Sequence, residues 1–301
     1  MVNSSPILIA GRNGRVARDL AEQAARLGFT ARAVGRPELD IENVDAIARV
    51  MAAERPCAIV NAAAVGLVDE AERNPERALA LNRDGAARLA AAAAHAGIPF
   101  LHISTDFVFD GSKRTPYVEE DPAAPANIYG RSKLAGEQAV LAAHPSALVL
   151  RTAWVYGRHG TNFLTTMLRL AETQDVVRVV ADQYGSPTAG ADLARALLDI
   201  AARRATAPSE ASGIYHLAGT GETSWHGLAE AIFAGWARRG HRVPHVEPIS
   251  MAEWPSPAQR PPYSALDCRK VECVFGIRLP SWEESVDRCL DAIHRTRTEV
   301  S

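Results

Sequence analysis

The chain has 301 residues, 47% hydrophobic and 23% charged, which is a globular composition and excludes a disordered or fibrous protein. Its net charge of −2 gives no basic surface of the kind that nucleic acid requires, so we expect no nucleic-acid partner. The four cysteines contain no C-x-x-C pair, and no apolar run approaches the ~20 residues of a membrane span. We therefore expect reduced thiols, no membrane partner and a cytoplasmic location.

Short apolar runs alternate with longer helical segments in the first half of the chain. We predict strands at Pro6–Ala10, Thr30–Val34, Cys57–Asn61, Ile98–Ser104 and Ala147–Arg151. We predict helices between them at Val16–Leu27, Val44–Glu54, Arg77–His95 and Tyr129–Ala143. Apolar strands that alternate with helices indicate a parallel sheet covered on both faces. The sequence therefore predicts an α/β fold with a doubly wound parallel sheet of the Rossmann type.

After about Tyr156 the pattern loosens. We predict helices at Asn162–Glu172, Ala191–Arg204, Trp225–Arg239 and Trp282–His294, and strands at Val176–Val180 and Gly213–Leu217. We expect a first domain over residues 1–155, completed by parts of 176–204, and a smaller C-terminal α/β region over residues 156–301.

A glycine-rich turn follows the first predicted strand and opens the first helix. It consists of Gly11, Arg12, Asn13, Gly14, Arg15 and Val16. Main-chain N–H groups at such a helix N-terminus can bind a pyrophosphate, where the helix dipole favours negative charge. The spacing is G-x-x-G-x-x-A rather than G-x-G-x-x-G, and an ordinary β–α turn is the alternative. Its place in the first β–α unit favours the cofactor interpretation.

The end of the second strand bears on the choice of cofactor. An NAD site usually has a carboxylate there for the ribose 2′-hydroxyl, but none precedes Glu38. Arg36, with Arg12 in the glycine-rich turn, suits a 2′-phosphate instead, which favours NADPH over NADH. The alternative is that both arginines are merely solvated. Further cofactor contacts are predicted at Asp40 and Ile41, near the adenine, and at Ala62, Ala63 and Ala64 after the third strand.

Tyr129 and Lys133 are four residues apart on a predicted helix, which places them on one face about 5–6 Å apart. A lysine near the phenol stabilises its anion, so we expect Lys133 to lower the pKa of Tyr129. Tyr129 can then exchange a proton with a carbonyl or an alcohol. Ser104 and Thr105, at the end of the fourth strand, carry hydroxyls that can polarise the same oxygen.

At these residues the sequence resembles the extended short-chain dehydrogenases/reductases, and more closely the dTDP-4-dehydrorhamnose reductase family. The matching stretches are 39–41, 102–111, 129–137, 151–157, 162–163, 182–188, 260–261 and 264–267. The resemblance implies hydride transfer from a reduced nicotinamide to C4 of a dTDP-4-keto-6-deoxyhexose. It assigns Tyr129 as the proton donor, Thr105 as a hydrogen-bond partner of the C4 oxygen, and Lys133 to the nicotinamide ribose.

The resemblance also implies a nucleotide-sugar substrate, with contacts at Thr105, Asp106, Trp154, Asn162 and Arg260. A core tryptophan and ordinary surface polar groups are the alternatives for the last three. The resemblance makes residues 1–155 the NADP(H)-binding domain and residues 156–301 mainly the nucleotide-sugar-binding domain, and it implies a homodimer. Some family members bridge subunits with Mg²⁺, and acidic residues fall at roughly matching places. These are Asp19, Asp192 and Glu283 or Glu284, for which solvated carboxylates are the alternative.

The chain departs from the family pattern at three positions near the expected sugar: Val65, Gly66 and Phe107. They replace an aromatic residue, a threonine and a tyrosine, which leaves the exact sugar and base open. A 4,6-dehydratase would need an acidic pair after Thr105, whereas Asp106 is followed by Phe107. Another extended-family epimerase or reductase, and a non-catalytic NADP-binding regulatory subunit, stay as alternatives.

Overall fold

We describe a computed structural model of the protein over residues 5–207, 211–254 and 256–300. The strands are β1 (Ile7–Ala10), β2 (Ala31–Val34), β3 (Ala58–Asn61), β4 (Phe100–Thr105), β5 (Leu148–Thr152), β6 (Val155–Tyr156), β7 (Val176–Val180), β8 (Tyr184–Gly185), β9 (Thr188–Ala189), β10 (Gly213–His216), β11 (Thr223–Ser224) and β12 (His245–Ile249). The helices are α1 (Arg15–Leu27), α2 (Val44–Glu54), α3 (Val68–Arg73), α4 (Pro75–Leu79), α5 (Ala86–His95), α6 (Ile128–Ala143), α7 (Phe163–Thr173), α8 (Gly190–Thr206), α9 (Trp225–Arg238), α10 (Arg269–Phe275) and α11 (Trp282–Val300). A π-helical segment, Ala80–Gly85, joins α4 to α5, and 3-10 turns lie at Asp106–Val108 and Met251–Glu253.

Six strands form one parallel sheet in the order β10-β5-β4-β3-β1-β2. Helices α1 and α8 pack on one face of this sheet, and α2, α5 and α6 pack on the other. The four central strands, β1, β3, β4 and β5, are almost fully buried, and most of their residues are apolar. The predicted doubly wound parallel sheet is confirmed.

The chain leaves β1 for β2 on one side and then crosses to β3 on the other side of β1. In open α/β sheets, ligands bind at such a switch point, beyond the carboxyl ends of the strands. The glycine-rich turn after β1 and the small residues after β3 therefore meet at one crevice.

The predicted helix Arg77–His95 is wrong as a single regular helix, because the π-helical segment interrupts it. Asn82 in this segment is buried, and its side-chain oxygen accepts a hydrogen bond from the Val65 N–H at 2.8 Å. Its amide nitrogen donates to Ser132 on α6 at 2.9 Å. The irregular segment thus ties the loop after β3 to the helix that carries Tyr129.

A second apolar core lies beyond the sheet, between α7, α9, α11 and the segments around Phe109 and Tyr117. The predicted strand Val176–Val180 is confirmed, but it pairs with β12 in a separate two-stranded sheet. The predicted strand Gly213–Leu217 lies instead at the edge of the main sheet, as β10. None of the described helices has the length and apolar character needed to cross a membrane.

Candidate active site

A cavity of about 570 Å³ runs along the carboxyl ends of β1, β3, β4 and β5. Most of the predicted cofactor and substrate residues line it: Asn13, Gly14, Arg15, Val16, Ala62, Ala63, Ala64, Thr105, Asp106, Tyr129, Lys133, Trp154 and Arg260. The remaining predicted residues do not: Gly11, Arg12, Arg36, Asp40, Ile41 and Asn162.

The glycine-rich turn forms a cradle at one end of this cavity. Gly11 has a φ of +114°, and a Cβ there would lie 3.3 Å from the Ala62 carbonyl carbon, so the position requires glycine. Gly14 begins α1 without a side-chain cap, and a Cβ there would point into open space. The first N–H groups of α1 therefore have no capping side chain, and the turn fits the pyrophosphate of a dinucleotide.

The packing of α6 places Tyr129 beside Thr105. Gly130 lies so close to the 3-10 turn after β4 that a Cβ there would collide with the Phe107 carbonyl oxygen. The Thr105 hydroxyl lies beside the Tyr129 phenol, and the ring of Phe107 meets the phenol ring edge-on at 6.0 Å. Asn127 caps the helix by accepting a hydrogen bond from the Gly130 N–H at 2.7 Å.

The expectation that Lys133 lowers the pKa of Tyr129 is wrong. Burial raises the pKa of Tyr129 to about 12, and the Thr105 hydroxyl and the Arg15 guanidinium offset burial only in part. Lys133 has other partners, since its Nζ donates to the Ile103 carbonyl oxygen at 2.6 Å and lies 3.3 Å from His102 Nε2. Tyr129 is therefore held as a protonated phenol, the form that can give a proton.

The pKa of Lys133 is also shifted. Burial lowers its pKa to about 8, and the nearby Glu137 carboxylate opposes this shift only weakly. The interior around Lys133 favours the uncharged amine more than water does. An ammonium and an amine are therefore both accessible near neutral pH.

Asp106 lies next to Thr105 and is 3% exposed. Burial raises the pKa of its carboxyl to about 7, although nearby hydroxyls and its own turn lower it in part. Thr105 donates to its Oδ1 at 3.1 Å. The Ser264 hydroxyl lies nearby, but neither it nor Oδ2 of Asp106 makes a hydrogen bond of good geometry. Oδ2 is thus a buried polar atom without a partner at the cavity wall.

Ser104 does not share the role of Thr105 in the way the sequence suggested. Its hydroxyl donates to Glu137 at 2.5 Å. Glu137 also accepts two hydrogen bonds from the Arg151 guanidinium, at 2.9 and 2.7 Å, and both side chains are almost fully buried. The Ser104 hydroxyl is therefore already bonded to Glu137, and the Thr105 hydroxyl is the one that lies beside Tyr129.

Two stacked tryptophans form a wall of the cavity. The Trp154 ring lies parallel to Trp225 at 3.5 Å between centroids, and Phe163 packs on Trp225 at 4.7 Å. Trp154 has a φ of +45° between β5 and β6, and its ring lies so close to Gly185 that any side chain there would collide with it. Among the residues that the structure describes, the buried Trp154 Nε1 has no hydrogen-bond partner. Backbone strain at a cavity wall is typical of a functional position.

Arg260 reaches the cavity from the loop that precedes Tyr263. Its NH2 group lies 3.3 Å from the Asp69 carboxylate on α3, and its Nε donates to Ser256 at 3.2 Å. The adjacent Gln259 carbonyl oxygen accepts a hydrogen bond from Asn127 at 2.8 Å. These contacts fix a half-exposed guanidinium over the cavity, where it can meet an anionic group.

Asn162 is placed differently from the prediction. It is buried and caps α7, with its Oδ1 accepting from the Thr165 N–H at 3.3 Å. Its Nδ2 donates to the Gly157 carbonyl oxygen at 2.8 Å. The side chain is therefore occupied within the loop, and the neighbours Thr161 and Phe163 line the cavity instead.

The predicted adenosine end lies outside this cavity, at the end of β2. Arg12 forms an ion pair with Glu38 at 2.7 Å, and Arg36 is exposed. Asp40 accepts a hydrogen bond from a neighbouring N–H in its own turn. Ile41 is 3% exposed and packs in the core, so its side chain is not available to an adenine.

The acidic positions at which the resemblance implied Mg²⁺ are Asp19, Asp192, Glu283 and Glu284. Across the described ranges, no three of them come close enough to share an ion. Asp192 instead accepts from Arg288 at 2.6 Å. The Asp19 carboxylate lies within 4.8 Å of possible ligand atoms of Glu22 and His159, and burial raises its pKa to about 6. Mg²⁺ therefore stays a prediction.

Several cavity residues were not predicted as site residues. They include Leu67, Val68, Thr152, Phe163 and Trp225, whereas Gly66 and Phe107, which also line the cavity, were expected near the sugar. Some follow strands β3 to β5, and a rule that every residue just past a parallel strand is a site candidate would have found them. Trp225 carries no such signal, because it is brought to the cavity from a distant helix.

Comparisons with known proteins agree with this geometry. A family model described as the RmlD substrate binding domain matches residues 5–295. The chain is 46% identical over 288 residues to a dTDP-4-dehydrorhamnose reductase of Sinorhizobium fredii, which covers 95% of this chain and 97% of the relative. It is 39% identical over 297 residues to the Salmonella typhimurium protein of the same name, covering 97% and 99%.

The fold also matches a crystal structure of dTDP-4-dehydrorhamnose reductase from Bacillus anthracis in complex with NADP. The TM-score is 0.88 at 35% sequence identity, and the match covers 96% of this chain and 99% of the other. Structures at 18–20% identity, among them a UDP-glucose 4-epimerase and a dTDP-glucose 4,6-dehydratase, share the fold alone. Family model, sequence and structure agree over nearly the whole chain, which therefore belongs to the dTDP-4-dehydrorhamnose reductase family of extended short-chain dehydrogenases/reductases.

Proposed function

We propose that this protein is an NADPH-dependent reductase of the C4 ketone of a dTDP-4-keto-6-deoxyhexose, converting dTDP-4-dehydrorhamnose to dTDP-L-rhamnose. The observation that carries the proposal is the arrangement of Thr105, Tyr129 and Lys133 on one cavity with the glycine-rich turn. This constellation occurs in a chain that is 46% identical to a relative of that name. NADPH, when bound, supplies the hydride that reaches C4 of the sugar.

The protein supplies the proton and the orientation. Tyr129 donates its phenolic proton to the C4 oxygen as that oxygen gains negative charge, and the raised pKa keeps the phenol protonated until then. Thr105 lies beside Tyr129, and its hydroxyl directs the same oxygen toward the phenol. The ammonium form of Lys133 binds the nicotinamide ribose.

The remaining cavity residues hold the two ligands. The cradle from Gly11 to Val16, together with Ala62–Ala64, receives the pyrophosphate of the cofactor. The sheet domain holds the cofactor and contributes Trp154 to the sugar wall, and the C-terminal region contributes Arg260 to the diphosphate of the nucleotide sugar. We propose in addition a homodimer in the cytoplasm, and light scattering of the purified protein tests the dimer.

The decisive experiment incubates the purified protein with dTDP-4-dehydrorhamnose and NADPH and follows NADPH absorbance, with NMR identification of the product. Tyr129→Phe should lower kcat by ~10²–10⁴ while NADPH affinity stays near wild type, because only the proton donor is lost. Lys133→Ala should impair both kcat and NADPH affinity. Tyr156→Phe is the matched control, since its hydroxyl donates to the Trp282 carbonyl oxygen away from the cavity. A fully active Tyr129→Phe protein would show that the mechanism is misassigned.

A further inference from the structure

Three buried polar side chains, those of Lys133, His102 and Asn61, lie in a row beside the active site. Lys133 Nζ lies 3.3 Å from His102 Nε2, and His102 Nδ1 lies 3.1 Å from Asn61 Nδ2. Their exposed fractions are 2%, 0% and 1% respectively. The proposed reaction uses Lys133 but gives no role to His102 or Asn61. Burying two further polar groups beside a catalytic lysine is costly unless their hydrogen bonds are satisfied.

The hydrogen bonds around Asn61 fix the tautomer of His102. The Ala63 N–H donates to Asn61 Oδ1 at 3.1 Å, which identifies that atom as the amide oxygen. The amide nitrogen therefore faces His102 and donates to Nδ1. Burial and the neighbouring Lys133 hold the pKa of His102 well below its usual value, so the ring is neutral. A neutral imidazole has one acceptor and one donor, so Nε2 carries the hydrogen.

This tautomer aims an N–H donor at Lys133. An ammonium has three donors and no acceptor, so it would meet the Nε2–H of His102 donor to donor. A neutral amine can accept that hydrogen bond while it donates to the Ile103 carbonyl oxygen at 2.6 Å. The contact with His102 therefore favours the amine over the ammonium.

Other charged and titratable groups surround Lys133 from each packed element. Glu137, on the same helix, favours the ammonium, but its carboxylate is held by Arg151 of β5 and by Ser104 of β4. Tyr129 and Asp106 both have raised pKa values because of burial. Arg15 of α1 lies near Tyr129. Apart from Glu137, none of these neighbours holds a fixed negative charge that would stabilise a lysine ammonium.

We propose that His102, locked by Asn61 in its Nε2–H tautomer, is a positioning residue that stabilises the neutral amine of Lys133. The charge of Lys133 thereby depends on pH near neutrality, and with it the affinity of the site for NADPH. This proposal rests on the proposed function only for the cofactor that it names.

The first test is ¹⁵N NMR of protein labelled at histidine, without cofactor or sugar. The His102 signals are assigned by their loss in His102→Gln. We expect a hydrogen on Nε2, a bare Nδ1 and no titration from about pH 6 to about pH 9. A hydrogen on Nδ1, or a ring that titrates in this range, would overturn the proposal.

The second test is the pH dependence of NADPH affinity, measured by calorimetry. Affinity should fall as Lys133 loses its charge, and His102→Leu should move that fall upward by about one pH unit, because the donor to the amine is lost. His102→Gln restores a donor and should stay near wild type. His144→Gln is the control, because His144 is also buried but bonds the Ile98 carbonyl oxygen instead.

An unchanged pH dependence in His102→Leu would overturn the proposal. If that variant does not fold, the NMR of the wild-type protein decides alone. Neither measurement uses the sugar, so a protein that reduces another substrate, or none, would refute the proposed function and leave this proposal standing. Conversely, an active reductase with the Nδ1–H tautomer would refute only this proposal.

Discussion

Asp106 should make the protein less stable as the pH rises. Its carboxyl ordinarily titrates at 3.8, and burial raises its pKa to about 7 in the folded chain. Between these two values the folded protein holds a proton that the unfolded chain has released. The folded state binds more protons, so its free energy of unfolding falls with increasing pH across this window.

The size of the effect follows from the two pKa values. A complete shift of about three units corresponds to about 4 kcal/mol at 1.36 kcal/mol per unit. Integration from about pH 5 to about pH 8 gives about 2.5 kcal/mol, because part of the change lies below pH 5. Asp106→Asn keeps the shape of the side chain and abolishes its titration. Relative to wild type, the variant should therefore gain about 2.5 kcal/mol in free energy of unfolding over this interval.

Urea unfolding of both proteins at the two pH values measures this gain, since other titrating groups cancel in the difference. Asp110→Asn is the control. Hydrogen bonds from Ser112 lower the pKa of Asp110, so its stabilisation is lost only as pH falls below the ordinary carboxyl range. It should show no gain between about pH 5 and about pH 8. If Asp106→Asn differs from wild type equally at both pH values, the raised pKa of Asp106 is refuted.

Three further predictions concern the cofactor, the sugar and the buried ion pair. Arg36→Ala should raise the KM for NADPH by about 5- to 150-fold and leave that for NADH unchanged, because a charged hydrogen bond to the 2′-phosphate is lost. Glu38→Gln frees Arg12 and should lower the KM for NADPH by at most about fivefold; equal KM values for the two cofactors in wild type would contradict both. A Cβ at Gly66 meets no atom within 4 Å, so wild type should tolerate changes in the hexose, and Gly66→Thr should lower kcat/KM for analogues lacking one ring hydroxyl by at least about tenfold. A wild type that already rejects such analogues, with no change in Gly66→Thr, would show that this gap has no role in specificity. Glu137→Gln leaves the Arg151 guanidinium buried without its carboxylate and should cost about 3–5 kcal/mol in urea unfolding, whereas Glu137→Leu combined with Arg151→Met should recover most of this loss.

The sequence was sufficient for features that depend on local pattern. The alternation of apolar strands and helices predicted the parallel sheet, because a strand buried on both faces must be apolar throughout. The four-residue spacing of Tyr129 and Lys133 placed both on one helix face. The glycine turn after β1 was recognisable because a positive φ at Gly11 is a property of a single residue.

Only the tertiary structure decided which partner each side chain has. Asn162 proved to be a helix cap, Ser104 a partner of Glu137, and Trp154 one half of a stack with Trp225, because these contacts join residues whose spacing carries no signal. The predicted direction of the pKa shift of Tyr129 was wrong for the same reason. A pKa sums burial and every neighbouring charge. Burial, which the order of residues does not encode locally, outweighed the effects of Thr105 and Arg15, and Lys133 is bonded to other partners.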